Sequence, residues 1–338
     1  ENVQYLEIIG TSPSVPEDFF LGDKHKEYNE KLKEYAKTDD YNGMAYLLRE
    51  IRRIYEKSPK VDTYANDYLT SIYSLEEKSN EFHNYFGCDV KDVVCRYQGY
   101  ASRGGEPVKV FAQLYIVQKA CEKDKGKLLT GCNLVAAENG EKSMLYFKSQ
   151  MTMFAMLNEK SDSTFNIALH AGELTLGLVR PEHLTYHIER SIRSANPRRI
   201  GHGVDLPFEP YYKWILEVMK KKPVPVEINL TSNEFILGVK GAEHPIMLYH
   251  NAGVPIIIST DDPGILRTSL TEQYTLAVLR YGFSYEEIKS FVLNSITYAF
   301  LADDDKTKLI KKVNDLLAEF ERKISIRHLE PDVSGREN

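Results

Sequence analysis

Short apolar runs alternate with helix-patterned segments along most of this chain, and that alternation narrows the folds open to it more than any single motif does. The runs at residues 128–136, 165–170, 199–203, 225–230 and 254–260 have strand length, are rich in Val, Ile and Leu, and end in polar or turn-forming residues. Two earlier segments read the same way, 2–9 ahead of Gly10, Ser12 and Pro13, and 90–97 with Val93, Val94 and Cys95 at its centre. Helices are predicted at 41–57 and 141–158, the latter with Met144, Phe147, Met151, Phe154 and Leu157 along one face, a stripe assigned to packing. Ser284 followed by Glu287 predicts a capping box opening a helix that runs to Phe300, and 303–322 reads as a charged amphipathic helix.

Apolar strand cores, each followed by helix, are what a parallel sheet covered on both faces requires. The fold class predicted is therefore α/β, a TIM-type (β/α)8 barrel. Such a barrel needs eight strands and seven are recognisable, so the first strand is expected to be missing from this chain. The whole of 1–338 is read as one barrel domain, with an inserted, mostly helical polar excursion in residues 10–88. No repeat, low-complexity tract or linker divides it.

Charge and composition remove several function classes. The balance of 43 Lys+Arg against 49 Asp+Glu, a net charge of −6, argues against nucleic acid as a partner. No apolar run approaches the ~18 residues of a membrane span. Cys88, Cys95, Cys121 and Cys132 form no C-x-x-C pair and are too few for a disulfide framework, which leaves the compartment open.

In a parallel barrel the functional residues gather at the C-terminal ends of the strands. Four of the later runs end suitably: in His170-Ala171-Gly172-Glu173, in Gly201-His202-Gly203, in Asn229-Leu230-Thr231-Ser232-Asn233, and in Ser259-Thr260-Asp261-Asp262-Pro263. His170 at a strand end can face a metal, and Gly172 lets the backbone turn so that Glu173 points into the same space. Gly201 and Gly203 allow close approach to His202. Asp261 and Asp262 follow a run of isoleucines, and carboxylates at the edge of a low-dielectric core need a cation or hydrogen-bond donors. A helix N-cap accounts for one of them, given Pro263, but not for both.

Other signals are weaker. His183 and His187 have zinc-protease spacing, but Leu184 stands where that motif needs a general-base Glu. Asn229-Leu230-Thr231 matches a glycosylation acceptor at the end of a buried strand, and Gly238-Val239-Lys240-Gly241 reads as a plain turn. There is no Gly-x-Ser-x-Gly elbow and no dinucleotide fingerprint.

Taken in order, the His170–Glu173, Gly201–Gly203 and Ser259–Pro263 motifs resemble the adenosine deaminase family over about residues 125–300, and 2–9 looks like that family's second strand. The stretch 227–233 and the long segment before Val90 look closer to its bacterial and secreted growth-factor-like branches, which leans the location outside the cytoplasm. The resemblance implies a zinc-dependent barrel that hydrolyses the 6-amino group of adenosine, or a close purine nucleoside, to inosine and ammonia. It implies that His170 and Asp261 ligate zinc, with Asp261 also orienting the attacking water. Glu173, kept protonated, would donate to ring N1, His202 would take or steer the water's proton, and Asp262 would bind ring N7.

Two departures from the family pattern matter. Its first strand carries a His-x-His pair supplying two more metal ligands, and none of the nine histidines here forms such a pair, so those ligands are expected upstream of this chain. Ala136 stands where the family often has a glycine whose backbone contacts the purine, which makes Ala136 a substrate-binding position and adenosine itself less certain. No phosphate-binding cluster is evident, so a nucleoside is expected rather than its monophosphate. The competing readings are another amidohydrolase-like deaminase or hydrolase, and a catalytically inactive barrel used for binding or signalling. The sequence gives no oligomeric state.

Overall fold

The computed structural model describes residues 3–85, 93–160 and 165–329, with 326–329 as backbone only. Seven strands form one sheet: β1 (Tyr5–Ile9), β2 (Val94–Ser102), β3 (Leu129–Val135), β4 (Asn166–Ala171), β5 (Arg199–His202), β6 (Val226–Ile228) and β7 (Ile256–Ile258). They lie side by side in chain order and every neighbouring pair is parallel. Each connection therefore returns the chain to the adjacent position, the path of a (β/α) repeat. Among the described residues β1 and β7 are not paired with each other, so the sheet is an incompletely closed barrel with two free edges.

Helices α1 (Lys24–Thr38), α2 (Tyr41–Glu56) and α3 (Lys60–Tyr85) lie between β1 and β2. Their apolar faces join the main core through Leu32, Met44, Leu48, Ile51, Tyr55 and Ile72, all fully buried. α4 (Pro107–Asp124) packs on β2 and β3 on one side and on α3 and α1 on the other. α5 (Glu141–Asn158) follows β3, and its Phe147, Met151, Phe154 and Leu157 are fully buried, while Met144 is only half-buried. α6 (His187–Arg190) precedes β5, and α7 (Tyr212–Lys221) precedes β6. α8 (Leu230–Leu237) and α9 (Ile246–Ala252) precede β7. α10 (Pro263–Leu266), α11 (Leu270–Tyr281), α12 (Tyr285–Thr297) and α13 (Asp303–Leu329) complete the described chain. Ser284 caps α12 with the reciprocal Ser284–Glu287 bonds its spacing predicts.

The strand expectations hold in number and order but not in every boundary. The second strand, predicted at 90–97, runs instead to Ser102, because the polar Gln98 faces the sheet's interior, where it finds partners. Asn2, Cys88 and residues 90–92 lie outside the described residues. Cys95, Cys121 and Cys132 form no disulfide. Among the described residues no helix is long and apolar enough to cross a membrane.

Side chains meet across the interior of the curled sheet. In a flat sheet β1 and β5 would stand four strand spacings apart, roughly 19 Å. Instead the Arg199 guanidinium on β5 bonds the Glu7 carboxylate on β1, while its Nε donates to Glu227 on β6 at 2.6 Å. Arg199 Nη1 also donates to the Tyr298 carbonyl (2.9 Å), and Glu7 accepts from the Phe300 backbone N–H (3.0 Å) and the Tyr5 hydroxyl (2.6 Å). Burial alone would push the Glu7 carboxyl up; Arg199 and these donors more than offset it and hold it below the usual carboxylate range.

Removing one member of such a pair leaves the other charge buried and unpaired. Arg199→Leu is expected to cost about 3–5 kcal/mol in urea unfolding. Adding Glu7→Gln to it should restore part of that loss, so that the double variant is more stable than the sum of the single changes allows. A loss below ~1 kcal/mol would show that the pair is solvated.

Candidate active site

The ends of three strands converge on one set of donor atoms. His170 at the end of β4, His202 at the end of β5 and Asp261 just after β7 each offer a ligand atom, and these atoms lie within 4.8 Å of one another. The two imidazole centroids are 5.2 Å apart. The backbone is held in the left-handed region at His202 (φ 67°) and Asp261 (φ 57°), a conformation costly for side chains other than glycine and concentrated at functional sites. Gly172 is also left-handed (φ 74°), and a Cβ there would stand 2.3 Å from Asp205 Oδ1, so only glycine carries the chain from His170 to Glu173.

A chain of hydrogen bonds with a defined direction orients His170. The Glu7 carboxylate can only accept, so the amide nitrogen of Gln98 donates to it (2.5 Å) and the Gln98 oxygen faces Asn133 Nδ2 (3.3 Å). Asn133 Oδ1 is then turned toward His170 Nδ1, 2.8 Å away, and the backbone N–H of Leu134 donates to the same oxygen at 2.8 Å, which fixes the amide independently. His170 Nδ1 therefore carries the proton, and its Nε2 presents a bare lone pair, the form in which imidazole ligates a metal. Burial, then the neighbouring His202 and Arg103, lower the His170 pKa to about 3 and keep the ring neutral. Asp261 Oδ2 accepts from the Ser232 hydroxyl at 2.6 Å. The donor set and its supports fit a divalent metal of the zinc type.

Glu173 stands beside this group, its Oε1 3.5 Å from His202 Nδ1. Its backbone N–H and that of Gly172 donate to the two oxygens of Glu138 (2.9 and 3.2 Å). Glu138 is buried against His187 Nδ1 (2.5 Å) and Arg103 Nη1 (3.5 Å), which, against the effect of burial, hold its pKa at about 2. Arg103 in turn donates to the carbonyls of Leu134 (3.1 Å) and His170 (2.6 Å). Burial raises the Glu173 carboxyl above its usual range, Asp261 and Glu138 add to the shift, and His202 and Arg103 oppose it.

Asp262 is exposed next to Asp261; partial desolvation and the Asp261 charge raise its pKa, and its side chain makes no capping bond to α10. Ala136 follows β3 with φ 80°, a backbone that favours glycine. His183 meets Tyr186 and His187 meets Glu138, and neither joins the metal-type group. Sequence reading missed Asn133, Glu138 and Arg103, and placed Ser232 at a strand end without its role of holding Asp261. Asn133 and Glu138 flank Ala136 at a strand end, which is the one signal that could have marked them.

A curled, incompletely closed parallel sheet with a His, His, Asp group that could hold a metal at its C-terminal mouth defines the class as an α/β half-barrel of TIM type. The adenosine deaminase family profile matches residues 86–316, and the chain belongs to that family. It is 29% identical over 203 residues to an adenosine deaminase of Klebsiella pneumoniae, an alignment covering 58% of this chain and 56% of that protein. The chain thus spans little more than half the length of the curated relatives it matches. In fold it resembles an amidohydrolase of Burkholderia ambifaria with bound Zn, with a TM-score of 0.57, 18% identity, and coverage of 83% of this chain and 75% of that one. An N6-mAMP deaminase of Arabidopsis matches with a TM-score of 0.56, 18% identity, and coverage of 93% and 98%.

Asp205, fully buried behind Gly172, has no hydrogen-bond partner for either carboxyl oxygen. Burial, then Glu209 and Glu138, raise its pKa well above the usual value. A raised carboxyl contributes stability that is complete below the ordinary Asp pKa of ~3.9 and is lost as pH rises through the folded value. Asp205→Asn is therefore expected to raise thermal stability, by about 1–3 kcal/mol at alkaline pH. The gain should shrink toward pH 4, and a constant gain across thermal melts from pH 4 to pH 9 would refute the buried acid.

Proposed function

We propose that this chain performs hydrolytic deamination of adenosine, or of a close 6-aminopurine nucleoside, yielding inosine and ammonia. The observation that carries this reading is the convergence of His170, His202 and Asp261 with Glu173 beside them at one mouth. His170 through Nε2 and Asp261 through its carboxylate would hold a zinc ion, whose other ligands in the family resemblance are a His-x-His pair that these 338 residues do not contain. Zinc so held supplies a water whose pKa is brought toward neutrality. Among the described residues β1 and β7 each keep an unpaired edge, which an eighth strand would fill in a complete (β/α)8 barrel.

This chain's residues would then divide the proton work. Glu173, whose buried carboxyl favours the protonated form, donates to ring N1, so that C6 can accept the nucleophile. Asp261 orients the attacking water, and Ser232 holds Asp261 in place. His202 steers the water's proton and stabilises the developing charge, and Asp262, whose carboxyl is raised by partial desolvation and by Asp261, donates in its protonated form to the lone pair of N7. Ala136, in a backbone that favours glycine, favours a second reading in which the purine sits differently and a relative of adenosine is the better substrate.

The test uses the natural full-length protein. Wild type should bind about one zinc per chain and lose the ultraviolet band of adenosine with time. Glu173→Gln should keep its zinc and lose about 10²–10⁴ in kcat, while His170→Ala should lose the zinc itself. Near-wild-type turnover by Glu173→Gln would sink the N1-protonation role. Zinc binding without turnover of adenosine would move the substrate to another 6-aminopurine, and a well-folded protein that binds no metal would support the non-catalytic reading.

A further inference from the structure

His170 and His202 sit in the same group of metal-type donors, yet the hydrogen bonds behind them run in opposite directions. Behind His202 the chain of bonds begins at a backbone N–H, which can only donate. The N–H of Ile246, at the start of α9, points at His244 Nδ1, 3.1 Å away, so that nitrogen is an acceptor. A neutral His244 then carries its proton on Nε2, which lies 2.9 Å from Asn233 Oδ1. His244 is buried, and its pKa is pushed down to about 4 by burial and then by His202 and Arg280, which keeps it neutral near pH 7. With its oxygen occupied by His244, Asn233 turns its Nδ2 toward His202 Nδ1 at 2.9 Å. An amide nitrogen has no lone pair to offer, so Asn233 donates and His202 Nδ1 accepts.

Other polar groups near the same nitrogen do not compete at equal range. Asn229 Nδ2 is 3.4 Å away and would also donate, while Glu173 Oε1 at 3.5 Å is at the outer limit of a hydrogen bond. Asn233 and His202 are essentially without exposure to solvent, so water does not replace the amide.

We propose that Asn233 and His244 are positioning residues that lock His202 in the tautomer with its proton on Nε2, so that His202 works beside the metal as a hydrogen-bond donor and not as a ligand. In this tautomer neither ring nitrogen has a free lone pair: Nδ1 spends its own on Asn233, and Nε2 carries hydrogen. His170, oriented from the carboxylate of Glu7, has the reverse arrangement. The two imidazoles are thus sorted into one ligand and one donor by the element that anchors each chain of bonds, a carboxylate for one and a backbone N–H for the other. The catalytic meaning of the donor rests on the proposed reaction; the tautomer does not.

The experiment is a two-bond ¹H–¹⁵N correlation spectrum of histidine-labelled protein, taken as purified with its metal and without substrate. The His202 signals are identified by their disappearance in His202→Gln. The expected pattern is a protonated, pyrrole-type Nε2 and a bare, pyridine-type Nδ1. Asn233→Asp replaces the donor by a carboxylate that accepts, and should move the pyrrole-type signal of His202 to Nδ1. His244→Gln retains a donor toward Asn233 and should keep the wild-type pattern. A wild-type His202 protonated on Nδ1, an Nε2 stripped of its proton, or an Asn233→Asp spectrum with His202 unchanged would each overturn the relay. Should Asn233→Asp fail to fold, the wild-type spectrum alone decides. A protein that deaminates neither adenosine nor another 6-aminopurine nucleoside yet shows Nε2–H on His202 would overturn the proposed reaction and support the relay.

Discussion

The pairing of Arg199 with Glu7 is the contact on which the geometry of the interior depends. Two charges are withdrawn from water there, at a cost of several kcal/mol each if unanswered. Glu227, the Tyr298 carbonyl, the Phe300 N–H, Tyr5 and Gln98 supply the answering bonds. These partners come from β1, β2, β6 and the segment after α12, and Arg199 itself from β5, so satisfying one ion pair draws the two halves of the sheet around a common axis. Because a carboxylate can only accept, the same pair also sets the direction of every amide between it and His170. A single buried charge thereby reaches the metal-type group through Gln98 and Asn133, and a substitution at Glu7 acts on the mouth without touching it.

A second buried cluster, around Glu138, governs the loop rather than the ligand. Glu138 holds the N–H groups of Gly172 and Glu173, and His187 and Arg103 hold Glu138. The tight passage from His170 to Glu173 needs the left-handed Gly172, and the Asp205 oxygen lies where a Cβ would be. Left-handed backbone at Ala136, His202 and Asp261 falls in the same region. Strain of this kind, of order 1–3 kcal/mol per residue, persists only where surrounding bonds over-determine the conformation; here Glu138 holds the Gly172 and Glu173 N–H groups, the Tyr249 hydroxyl donates to the Gly203 carbonyl beside His202, and the Ser232 hydroxyl donates to Asp261.

Much of the architecture was legible in the chain because strands buried on both faces announce themselves as short apolar runs, and helix 141–158 by its spacing of large side chains. The second strand was placed too early because its later half carries Gln98 and Tyr100, polar residues that find partners or space only once the sheet has curled. His170, His202 and Asp261 were legible because each ends an apolar run. Glu138, Arg103, Asn133, Asn233 and His244 were not assigned roles, since their meaning lies in hydrogen bonds across 31 to 67 positions of sequence in the case of Arg103, and 37 in that of Asn133 with His170. No local pattern encodes such a partner.

What separates the two histidines at the mouth is therefore not their place in it, since their ring centres are only 5.2 Å apart, with His202 buried and His170 half-buried. It is the chemistry at the far end of each chain of bonds. An amide side chain such as Asn133 or Asn233 has one accepting and one donating end, so it passes polarity along without creating it. The sign is set where a group has no choice: the Glu7 carboxylate in one case, the Ile246 backbone N–H in the other. A cluster of three donor types is consequently not three equivalent ligands. Exchanging Asn233 for an aspartate reverses the imidazole it serves, whereas an aspartate in place of Asn133 would still accept from His170 Nδ1 and leave that ring as it is, so the two imidazoles answer to separate controls.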